Sequence, residues 1–494
     1  MKLRELADLI LIKHTVGDME TIISGLQMDS RKIEKGNIFI CVPAITGFLE
    51  DRHLFAEDAV KNGAAALVLE RDVDVDIPKI FVKDARHAMA VMASHFFQYP
   101  SHELKLIGIT GTNGKTTSSY ILEKILDDFG YKTGLMGNNG IKIDGKQYPT
   151  DINTQEPPSL QKNLRLMRDR KTEYCVMEVS SQGLDMNRVS GCNFRTAVFT
   201  NLTQDHLDYH GTFEEYRYAK GLLFSKLGNT FNDRKNMKFA VLNADDPTTT
   251  YYRKLTSAEV VTYGITNQSD VMAKNITTTS QGTQFTLITF KGEIDVTLQL
   301  VGQFNVYNAL AAVAASLIEG ISLENIKNSL AELTSVTGRM EIVSHGQDYL
   351  VLVDYAHTPD ALENVLKSIN DFTTGKIITV FGCGGNRDVS KRPIMGEIAS
   401  RYSDYLFVTS DNPRSEEPTN ILRDIEKGIR STTSYELIES REKAIQQAIQ
   451  VASKGDVVLI AGKGHETYQQ LKDKTIHFDD KEVAQKAIVQ KQKL

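Results

Sequence analysis

The chain has 494 residues, more than one hydrophobic core normally serves, so about three domains are expected. Its net charge of −6, with no segment dominated by basic residues, argues against a protein that binds nucleic acid. No apolar run approaches the ~20 residues of a membrane span, and acidic residues follow the first few, so a cytoplasmic protein without a signal peptide is expected. Four widely separated cysteines form no Cys-x2-Cys pair, which indicates neither a disulfide framework nor structural zinc.

Residues 1–100 are predicted to form a small α/β domain. Short apolar runs that favour strands alternate with helical patterns, and the strands are predicted at residues 36–42, 64–69 and 79–82. The break at Tyr99-Pro100-Ser101 ends this domain.

Residues 101–334 are predicted to form a second domain, which opens with an apolar strand that runs into a glycine-rich turn and a helix. Backbone N–H groups of such a turn bind phosphate, and the helix N-terminus adds partial positive charge. Lys115 is placed to reach the outer phosphates of ATP, and the Thr116 hydroxyl to ligate Mg²⁺. The strict P-loop spacing would need glycine at Ile109, so this is a variant P-loop. The residues predicted to bind ATP here are Gly111, Thr112, Asn113, Gly114, Lys115, Thr116 and Thr117.

The rest of the second domain alternates strands and helices, a pattern typical of a doubly wound α/β sheet. Strands are predicted at residues 174–179, 195–200 and 238–243, β-hairpins at 274–300, helices at 305–319 and 322–333, and a closing turn at 335–339.

Three polar residues of this domain allow a structural or a functional interpretation. Glu178 ends an apolar strand, where a carboxylate would either hold Mg²⁺ or cap the following turn. His206 lies in a loop that also contains Asp205, and it would either ligate a second metal ion or face solvent. Lys220 lies on a helix and by itself resembles a surface lysine.

Two asparagines, Asn305 and Asn308, lie one turn apart at the start of a predicted helix. Their amide groups would either contact the base of a nucleotide or cap the helix.

Residues 335–494 are predicted to form a third α/β domain, with strands at 349–354, 376–381, 405–409 and 456–461. Ligands in such folds bind beyond the carboxyl ends of the strands. Polar segments follow all four strands, which predicts a second site facing the ATP. These segments are residues 354–357, 382–387, 411–414 and 462–466.

Together these segments resemble the Mur ligase family, the ATP-dependent enzymes that build the peptide stem of peptidoglycan. The resemblance covers nearly the whole chain, and the matching segments follow the order of the family. They are residues 111–117, 201–203 with 205–208, Tyr216 with Ala219 and Lys220, Asn305 with Asn308, Gly338 with Arg339, and 354–357.

Within the family, the chain is most similar to members that add the third residue to UDP-N-acetylmuramoyl-L-alanyl-D-glutamate. This similarity implies that Ser30 helps to hold the UDP end, and that the muramoyl peptide lies along Asn153, Thr154, Ser180, Gln182 and Arg188. It further implies that ATP is held by Asn305, Asn308, Arg339 and Asp354. The incoming amino acid would contact Arg387, Asp411, Asn412, Pro413, Arg414, Gly462 and Glu466.

The resemblance also implies that Lys220 is N-carbamylated, which turns a cation into a carboxylate-like metal ligand beside His206. The implied metal ligands are Thr116, Glu178, His206 and Lys220, and the catalytic residues are Lys115, Glu178, His206 and Lys220.

Two segments depart from the family pattern. Residues 153–156 read Asn-Thr-Gln-Glu where Thr-Thr-Pro-Glu is usual, and residues 180–182 read Ser-Ser-Gln where Ser-Ser-His is usual. Both lie near the expected muramoyl-peptide path, so an acceptor with another carboxylate stays open as an alternative.

The predicted reaction is ATP-dependent formation of an acyl phosphate on the D-Glu carboxylate, followed by attack of an amine from the third domain. In the resemblance, Asp411-Asn412-Pro413-Arg414 marks members that add meso-diaminopimelate, because arginine can grip its extra carboxylate. L-lysine is the alternative amino acid.

Two rival functions stay open. One is that of a folylpolyglutamate synthetase, and the other is that of a P-loop ATPase or GTPase that couples hydrolysis to a conformational switch. The enzyme is expected to be a monomer that acts on small molecules.

Overall fold

The protein was analysed as a computed structural model that describes residues 1–150, 152–231, 233, 236–279 and 282–493. Three large sheets follow one another along the described chain, one in each predicted domain. No helix in these ranges is long and apolar enough to cross a membrane.

The N-terminal sheet has five strands, and its strands are parallel except for β1. Its order is β1 (Lys13–Val16), β5 (Lys79–Val82), β4 (Ala66–Leu69), β3 (Asn37–Ile40) and β2 (Gly25–Gln27). The helices are α1 (Leu3–Ala7), α2 (Ala56–Lys61) and α3 (Ala85–Phe96), and single 3-10 turns lie at Ser30–Lys32, Arg52–Phe55 and Pro100–His102. The three predicted strands are confirmed, and the short strands β1 and β2 were not predicted.

The central sheet has eleven strands. Its order is β16 (Gly292–Leu298), β15 (Gly282–Thr289), β14 (Val271–Thr279), β13 (Glu259–Gly264), β12 (Phe239–Asn243), β11 (Phe194–Phe199), β6 (Lys105–Thr110), β10 (Tyr174–Glu178), β7 (Thr133–Gly137), β8 (Gly140–Ile143) and β9 (Lys146–Tyr148). The run from β14 to β7 is parallel, and antiparallel hairpins extend it at both ends. The predicted hairpins therefore continue the main sheet, although residues 280 and 281 lie outside the described ranges.

Helices cover both faces of the central sheet. They are α4 (Lys115–Asp128), α5 (Pro157–Asp169), α6 (Ser181–Asp185), α7 (Leu207–His210), α8 (Phe213–Ser225), α9 (Thr249–Leu255), α10 (Gln303–Ile318) and α11 (Leu323–Glu332). The alanine-rich face of α10 is buried from Ala309 to Ala315, and small side chains let it pack closely on α4. This packing fixes the first turn of α10 beside the P-loop.

The C-terminal sheet has six strands, and only β17 is antiparallel. Its order is β17 (Glu341–Ile342), β18 (Leu350–Asp354), β22 (Val457–Ala461), β19 (Ile377–Phe381), β20 (Tyr405–Thr409) and β21 (Ser434–Ile438). The helices are α12 (Pro359–Asn370), α13 (Lys391–Tyr402), α14 (Pro418–Glu426), α15 (Arg441–Val451) and α16 (Asp480–Lys491), and a hairpin joins β23 (Tyr468–Gln470) to β24 (Thr475–His477). Strands β18, β22, β19 and β20 are neighbours, so the four polar segments predicted to share one edge do so.

Candidate active site

The P-loop joins β6 to α4 in a conformation that only glycine allows at two positions. Gly111 and Gly114 have φ angles of +153° and +85°. A Cβ atom at Gly111 would lie 1.8 Å from the Thr200 hydroxyl oxygen, and one at Gly114 would lie 2.2 Å from Asn308 Oδ1. The loop therefore wraps closely against its neighbours, and Asn201 accepts from two of its N–H groups, those of Thr112 and Asn113, at 2.8 and 2.9 Å. The start of helix α4 is the end of the loop that suits an anion.

Two lysines meet at the carbonyl of Gly111. Lys115 Nζ donates to that oxygen at 2.9 Å and to the Thr112 carbonyl at 2.8 Å, and Lys220 Nζ donates to Gly111 O at 2.8 Å. Lys220 is only 1% exposed, so its interpretation as a surface lysine is wrong. Burial, and then the charge of Lys115, hold the pKa of Lys220 well below its ordinary value. Burial also lowers the pKa of Lys115.

Thr116 and Glu178 face each other across the loop. The Thr116 hydroxyl donates to Glu178 Oε1 at 2.8 Å, and Arg339 Nη2 donates to the same hydroxyl at 3.0 Å. Glu178 Oε2 is buried, and no hydrogen-bond donor reaches it from the described part of the chain. A buried carboxylate oxygen without a donor beside a threonine hydroxyl is a donor set that fits Mg²⁺.

The turn after Glu178 is capped by another residue, so the capping alternative for Glu178 is wrong. Ser180 Oγ accepts from the Gly183 N–H at 3.1 Å at the start of α6. Glu178 Oε1 instead accepts from the N–H of Asn138 at 3.0 Å.

His206 lies at the entrance to α7 with a φ of +55°, and both of its ring nitrogens have neighbours. Nδ1 lies 3.1 Å from Gln182 Nε2, and Nε2 lies 3.3 Å from Asp205 Oδ2. Burial lowers the pKa of His206 to about 4, so the ring is neutral at pH 7. A neutral imidazole is the form that ligates metal, but one of these two contacts has to be released first.

In the described ranges, no group of three or more His, Cys, Asp or Glu side chains could hold a metal ion. The predicted second ion therefore depends on a carbamate at Lys220.

The two asparagines of α10 form one hydrogen-bonded unit. Asn305 Nδ2 donates to the Val301 carbonyl at 2.8 Å, and Asn308 Nδ2 donates to Asn305 Oδ1 at 3.0 Å. Asn308 lies against Gly114 and lines a cavity beside the P-loop. Asn305 does not line this cavity, but its hydrogen bond orients the Asn308 amide.

A cavity of about 530 Å³ lies between the central and C-terminal domains, beside the P-loop. Its lining includes the following predicted ATP residues: Asn113, Gly114, Thr117, Asn308, Arg339 and Asp354. Burial raises the pKa of Asp354, whose carboxylate oxygens accept from the N–H groups of Met340 and Ala356 at 2.7 Å each. Six of the predicted ATP residues therefore line one cavity, whereas Gly111, Thr112, Lys115, Thr116 and Asn305 are not part of its lining.

Sequence reasoning missed three residues of this cavity, Asp245, Tyr307 and Asp360. Asp245 accepts a hydrogen bond from the Tyr307 hydroxyl at 2.9 Å, and Asp360 Oδ2 accepts one from Asn113 Nδ2 at 2.7 Å across the domain boundary. Asp245 follows strand β12, so the same strand-end signal that singled out Glu178 could have found it.

The predicted muramoyl-peptide residues of the central domain lie next to Glu178. Thr154 Oγ1 donates to the Glu178 carbonyl at 3.1 Å and accepts from the Ser180 N–H at 2.9 Å. Arg188 donates to Glu156 Oε1 at 2.8 Å and to the Thr154 carbonyl at 3.2 Å. This group therefore reaches the strand end that carries Glu178.

Ser30 lies in the N-terminal domain, and its backbone carbonyl accepts from Asn62 Nδ2 at 2.9 Å. Asn153 lines a second cavity, of about 650 Å³, whose opposite wall includes Glu466 and Tyr468 of the C-terminal domain. Residues of the predicted acceptor path and of the predicted amino-acid site therefore line the same cavity.

The predicted amino-acid site contains two arginines. Arg414 has a φ of +54° and donates to the Gly385 carbonyl at 2.8 Å. Burial, and then the charge of Arg387, lower the pKa of Arg414. The exposed Arg387 donates to the Asn386 carbonyl at 2.9 Å. Two neighbouring guanidinium groups favour a carboxylate ligand.

Acidic and amide groups complete the amino-acid site. Asn412 Nδ2 donates to Glu466 Oε2 at 2.9 Å. A Cβ atom at Gly462 would lie 2.8 Å from Asp411 Oδ2, so the strand ends of β22 and β20 touch here. Pro413 lies closer still to the glycine turn after β19, because its carbonyl oxygen would lie 1.9 Å from a Cβ at Gly385.

Comparison with known proteins agrees with this geometry. Residues 109–316 match the model of the Mur ligase middle domain, and residues 338–464 match that of the Mur ligase, glutamate ligase domain. The chain therefore belongs to the Mur ligase family, the class of ligase that the three sheets and the P-loop define.

The similar proteins of known name agree on one reaction. UDP-N-acetylmuramoyl-L-alanyl-D-glutamate--2,6-diaminopimelate ligase of Bacillus velezensis is 50% identical over 491 residues, 99% of each chain. The ligase of the same name from Geobacillus kaustophilus is 52% identical over 467 residues, 94% of this chain and 95% of the other.

Solved structures show the same architecture from end to end. A structure of a ligase of that name has a TM-score of 0.68 at 33% identity and covers 100% of this chain and 99% of its own. MurF ligase of Thermotoga maritima in complex with ADP has a TM-score of 0.65 at 19% identity, with 96% and 98% coverage, which shows the fold alone. The predicted family and three-domain α/β fold are confirmed.

Proposed function

We propose that this chain is an ATP-dependent amide ligase that joins meso-diaminopimelate to the D-Glu carboxylate of UDP-N-acetylmuramoyl-L-alanyl-D-glutamate. One observation carries the proposal: residues of the central and C-terminal domains together line the cavity beside the P-loop, and Asn153 and Glu466 line a second cavity between the same domains. The names of the relatives at about half identity support the same reaction.

ATP occupies the cavity beside Asn308 and Arg339 in this proposal, with its phosphates on the P-loop N–H groups. Lys115 breaks its contacts with the loop carbonyls and binds the outer phosphates. Thr116 and Glu178 would hold Mg²⁺, which, when bound, neutralises phosphate charge.

Lys220 and His206 form the second part of the proposed metal site. A neutral lysine amine adds CO2 and releases a proton to give a carbamate, and the lowered pKa of Lys220 favours this neutral form. The carbamate would place a negative charge at Lys220, close to the positive charge of Lys115, which repels an ammonium group at this position.

The acceptor carboxylate attacks the γ-phosphate to form an acyl phosphate and ADP. The amine of diaminopimelate then attacks the acyl carbon, so that an amide forms and phosphate leaves. Asn412 and Glu466 orient the amino acid, and Arg414 with Arg387 binds its distal carboxylate. Closure of the C-terminal domain excludes water, which would otherwise hydrolyse the acyl phosphate.

The proposal includes a cytoplasmic enzyme that acts as a monomer. The reducing compartment is supported by the four cysteines, Cys41, Cys175, Cys192 and Cys383, which are free thiols. The substrates, ATP and a UDP-linked peptide, support the same compartment.

The central test is a panel of UDP-muramoyl peptides crossed with amino acids, in which ADP release and amide formation are both measured. The proposal expects ADP release only when the UDP-muramoyl dipeptide and diaminopimelate are both present. ADP release without any carboxylate acceptor would instead indicate a P-loop ATPase that couples hydrolysis to switching.

Arg414 decides the choice between diaminopimelate and L-lysine. A pocket guanidinium left without its carboxylate is unfavourable, so the enzyme should prefer diaminopimelate by on the order of 100-fold or more. Arg414→Ala should remove most of this preference, whereas the exposed Arg423→Ala should keep it. Equal use of L-lysine by the unmodified enzyme, or an undiminished preference in Arg414→Ala, would contradict the assignment.

A further inference from the structure

A buried lysine lies inside the amino-acid site and has no role in the reaction described so far. Lys463 follows strand β22, between Gly462 and Gly464, whose φ angles are +119° and +52°. A Cβ atom at Gly464 would lie 2.7 Å from Tyr355 Cβ, so this turn is held tightly. The turn directs Lys463 inward, and its side chain is completely buried.

Lys463 makes its polar contacts with two residues of the predicted amino-acid site. Nζ lies 2.9 Å from Glu466 Oε2 and 3.3 Å from Asn412 Oδ1, and it sits 5.3 Å from the centre of the Tyr468 ring. An ammonium group without water around it depends on such partners, because burial of an unpaired charge is strongly unfavourable.

The three side chains form a closed arrangement of donors and acceptors. Asn412 Oδ1 accepts from Lys463 and from the Gln470 N–H at 2.9 Å, so its amide nitrogen points to Glu466 Oε2. Glu466 Oε2 thus accepts hydrogen bonds from both Asn412 and Lys463, which fix this oxygen of the carboxylate. Glu466 also lines the cavity of about 650 Å³.

We propose that Lys463 is a positioning residue that fixes Glu466 and Asn412 for the amino group of the incoming amino acid. The inference rests on the proposed function, because it assumes that an amine binds at Glu466. Lys463 touches neither the amino acid nor ATP, and it acts by holding the Glu466 carboxylate in one rotamer and the Asn412 amide in one orientation.

The proposal separates two properties of the pocket. Glu466 binds an amino group, which diaminopimelate and L-lysine both possess, whereas Arg414 binds the carboxylate that only diaminopimelate has. Loss of Lys463 should therefore weaken binding of either amino acid and leave the preference between them unchanged. A general collapse of the site would instead disturb Arg414 as well. The backbone N–H of Arg414 donates at 3.1 Å to the carbonyl of Gln470, the residue whose own N–H donates to Asn412.

The test compares Lys463→Met with the exposed control Lys472→Met in steady-state assays of amide formation. In Lys463→Met, the KM for diaminopimelate should rise by about 10-fold or more, while the KM values for ATP and the UDP-muramoyl dipeptide stay within about twofold. The preference for diaminopimelate over L-lysine should remain, and Lys472→Met should match the unmodified enzyme.

A double variant keeps the test valid if Lys463→Met folds poorly, because Glu466→Gln removes the carboxylate that Lys463→Met leaves without its partner. Lys463 acts partly through Glu466, so the effects of Lys463→Met and Glu466→Gln on the KM for diaminopimelate should be less than additive. An unchanged KM in Lys463→Met, a lost preference, or additive effects in the double variant would overturn this inference alone. Failure of the unmodified enzyme to form any amide would overturn the proposed function and this inference with it.

Discussion

Lys220 and Lys115 lie against one carbonyl oxygen, that of Gly111, in a buried part of the central domain. Two ammonium groups this close repel each other, and burial adds to the cost of charging either. Lys220 also packs on Tyr216, with Nζ 4.6 Å from the ring centre. Its surroundings favour a neutral amine, the form that reacts with CO2.

Lys220→Ala is expected to lose on the order of 100-fold or more of the ligase activity, because a carbamate-held metal site would be absent. Added short-chain carboxylic acids should restore part of the activity, since they can supply the missing carboxylate. Rates of ADP formation, measured with and without the acid, check this expectation. Lys226→Ala, at the exposed end of the same helix, is the control. Full activity in Lys220→Arg would show that the residue acts as a cation.

Lys115→Ala is expected to abolish ADP formation, because the outer phosphates lose their nearest positive charge as the γ-phosphate is transferred. The measurement is acceptor-dependent ADP release under saturating substrates. Lys124→Ala, on the same helix α4 but paired with Asp128 at the surface, should behave as the unmodified enzyme. Near-normal turnover in Lys115→Ala would move the ATP site away from this loop.

The P-loop residues could be predicted from the sequence because they are contiguous and their spacing is typical of a phosphate-binding turn. Lys220 by itself resembled a surface residue, since helix position alone does not tell which face the core will cover. Asp360 could not be singled out in the same way, because acidic residues are common and this one matters through a contact with Asn113 made after folding. Lys463 shows the same limit, because its partner Asn412 is distant in sequence and the burial of its side chain follows from the folded turn.

At the scale of elements, several buried strands were predicted, whereas the exposed edge strand β21 was not. Strands β6 and β19 are buried along almost their whole length, so their sequences are mostly apolar. Strand β21 lies at the edge of the C-terminal sheet, and four of its five residues are exposed. Its sequence, Ser-Tyr-Glu-Leu-Ile, contains no continuous apolar run, the signal by which the other strands of this domain were predicted.

Helix α4 offers a matched pair of glycines for testing the P-loop. Gly114 at its start and Gly130 just after its end both have positive φ angles, +85° and +99°. A Cβ atom would collide with Asn308 at Gly114, but it would meet nothing within 4 Å at Gly130. Backbone strain is therefore similar at the two sites, and only one substitution adds a clash.

Gly114→Ala is expected to weaken ATP binding by on the order of 10-fold or more, because the loop or Asn308 has to move. Both substitutions should lower the unfolding temperature through backbone strain. Gly130→Ala, however, should leave the Kd for ATP unchanged. Isothermal titration with ATP and thermal unfolding separate the two effects. Equal ATP affinities in the two variants would show that the tight contact at Gly114 has no role in binding.

At the scale of the whole molecule, polar contacts link the C-terminal domain to the P-loop and to the turn between β7 and β8. Asn113 donates to Asp360 at 2.7 Å, Arg339 donates to Thr116 at 3.0 Å, and Asn139 donates to the Thr337 carbonyl at 3.1 Å. Polar contacts of this kind can be exchanged for contacts with substrate, which suits domains that open and close during the reaction.

Two neutral histidines lie at this face of the C-terminal domain. The rings of His357 and His465 pack on Tyr355 with centroid distances of 4.6 and 5.0 Å. Burial is the main cause that lowers the pKa of each to about 4, and positive neighbours, Lys391 for His357 and Arg339 for His465, lower it further. In the unfolded chain the pKa of both returns to about 6.5.

The free energy of unfolding is therefore expected to fall as the pH drops from about 6.5 towards 4, because only the unfolded chain takes up protons there. Each histidine contributes at most about 1.4 kcal/mol per pH unit, and less where solvent screens it. Urea unfolding at pH 7 and pH 5, followed by circular dichroism because the chain has no tryptophan, measures the difference.

The double variant His357→Gln/His465→Gln should show a smaller pH dependence of the free energy of unfolding than the unmodified protein. His477→Gln is the control, since a hydrogen bond with Glu482 raises the pKa of this exposed histidine and gives the opposite sign. An unchanged slope in the double variant would show that these histidines are not held neutral in the folded protein.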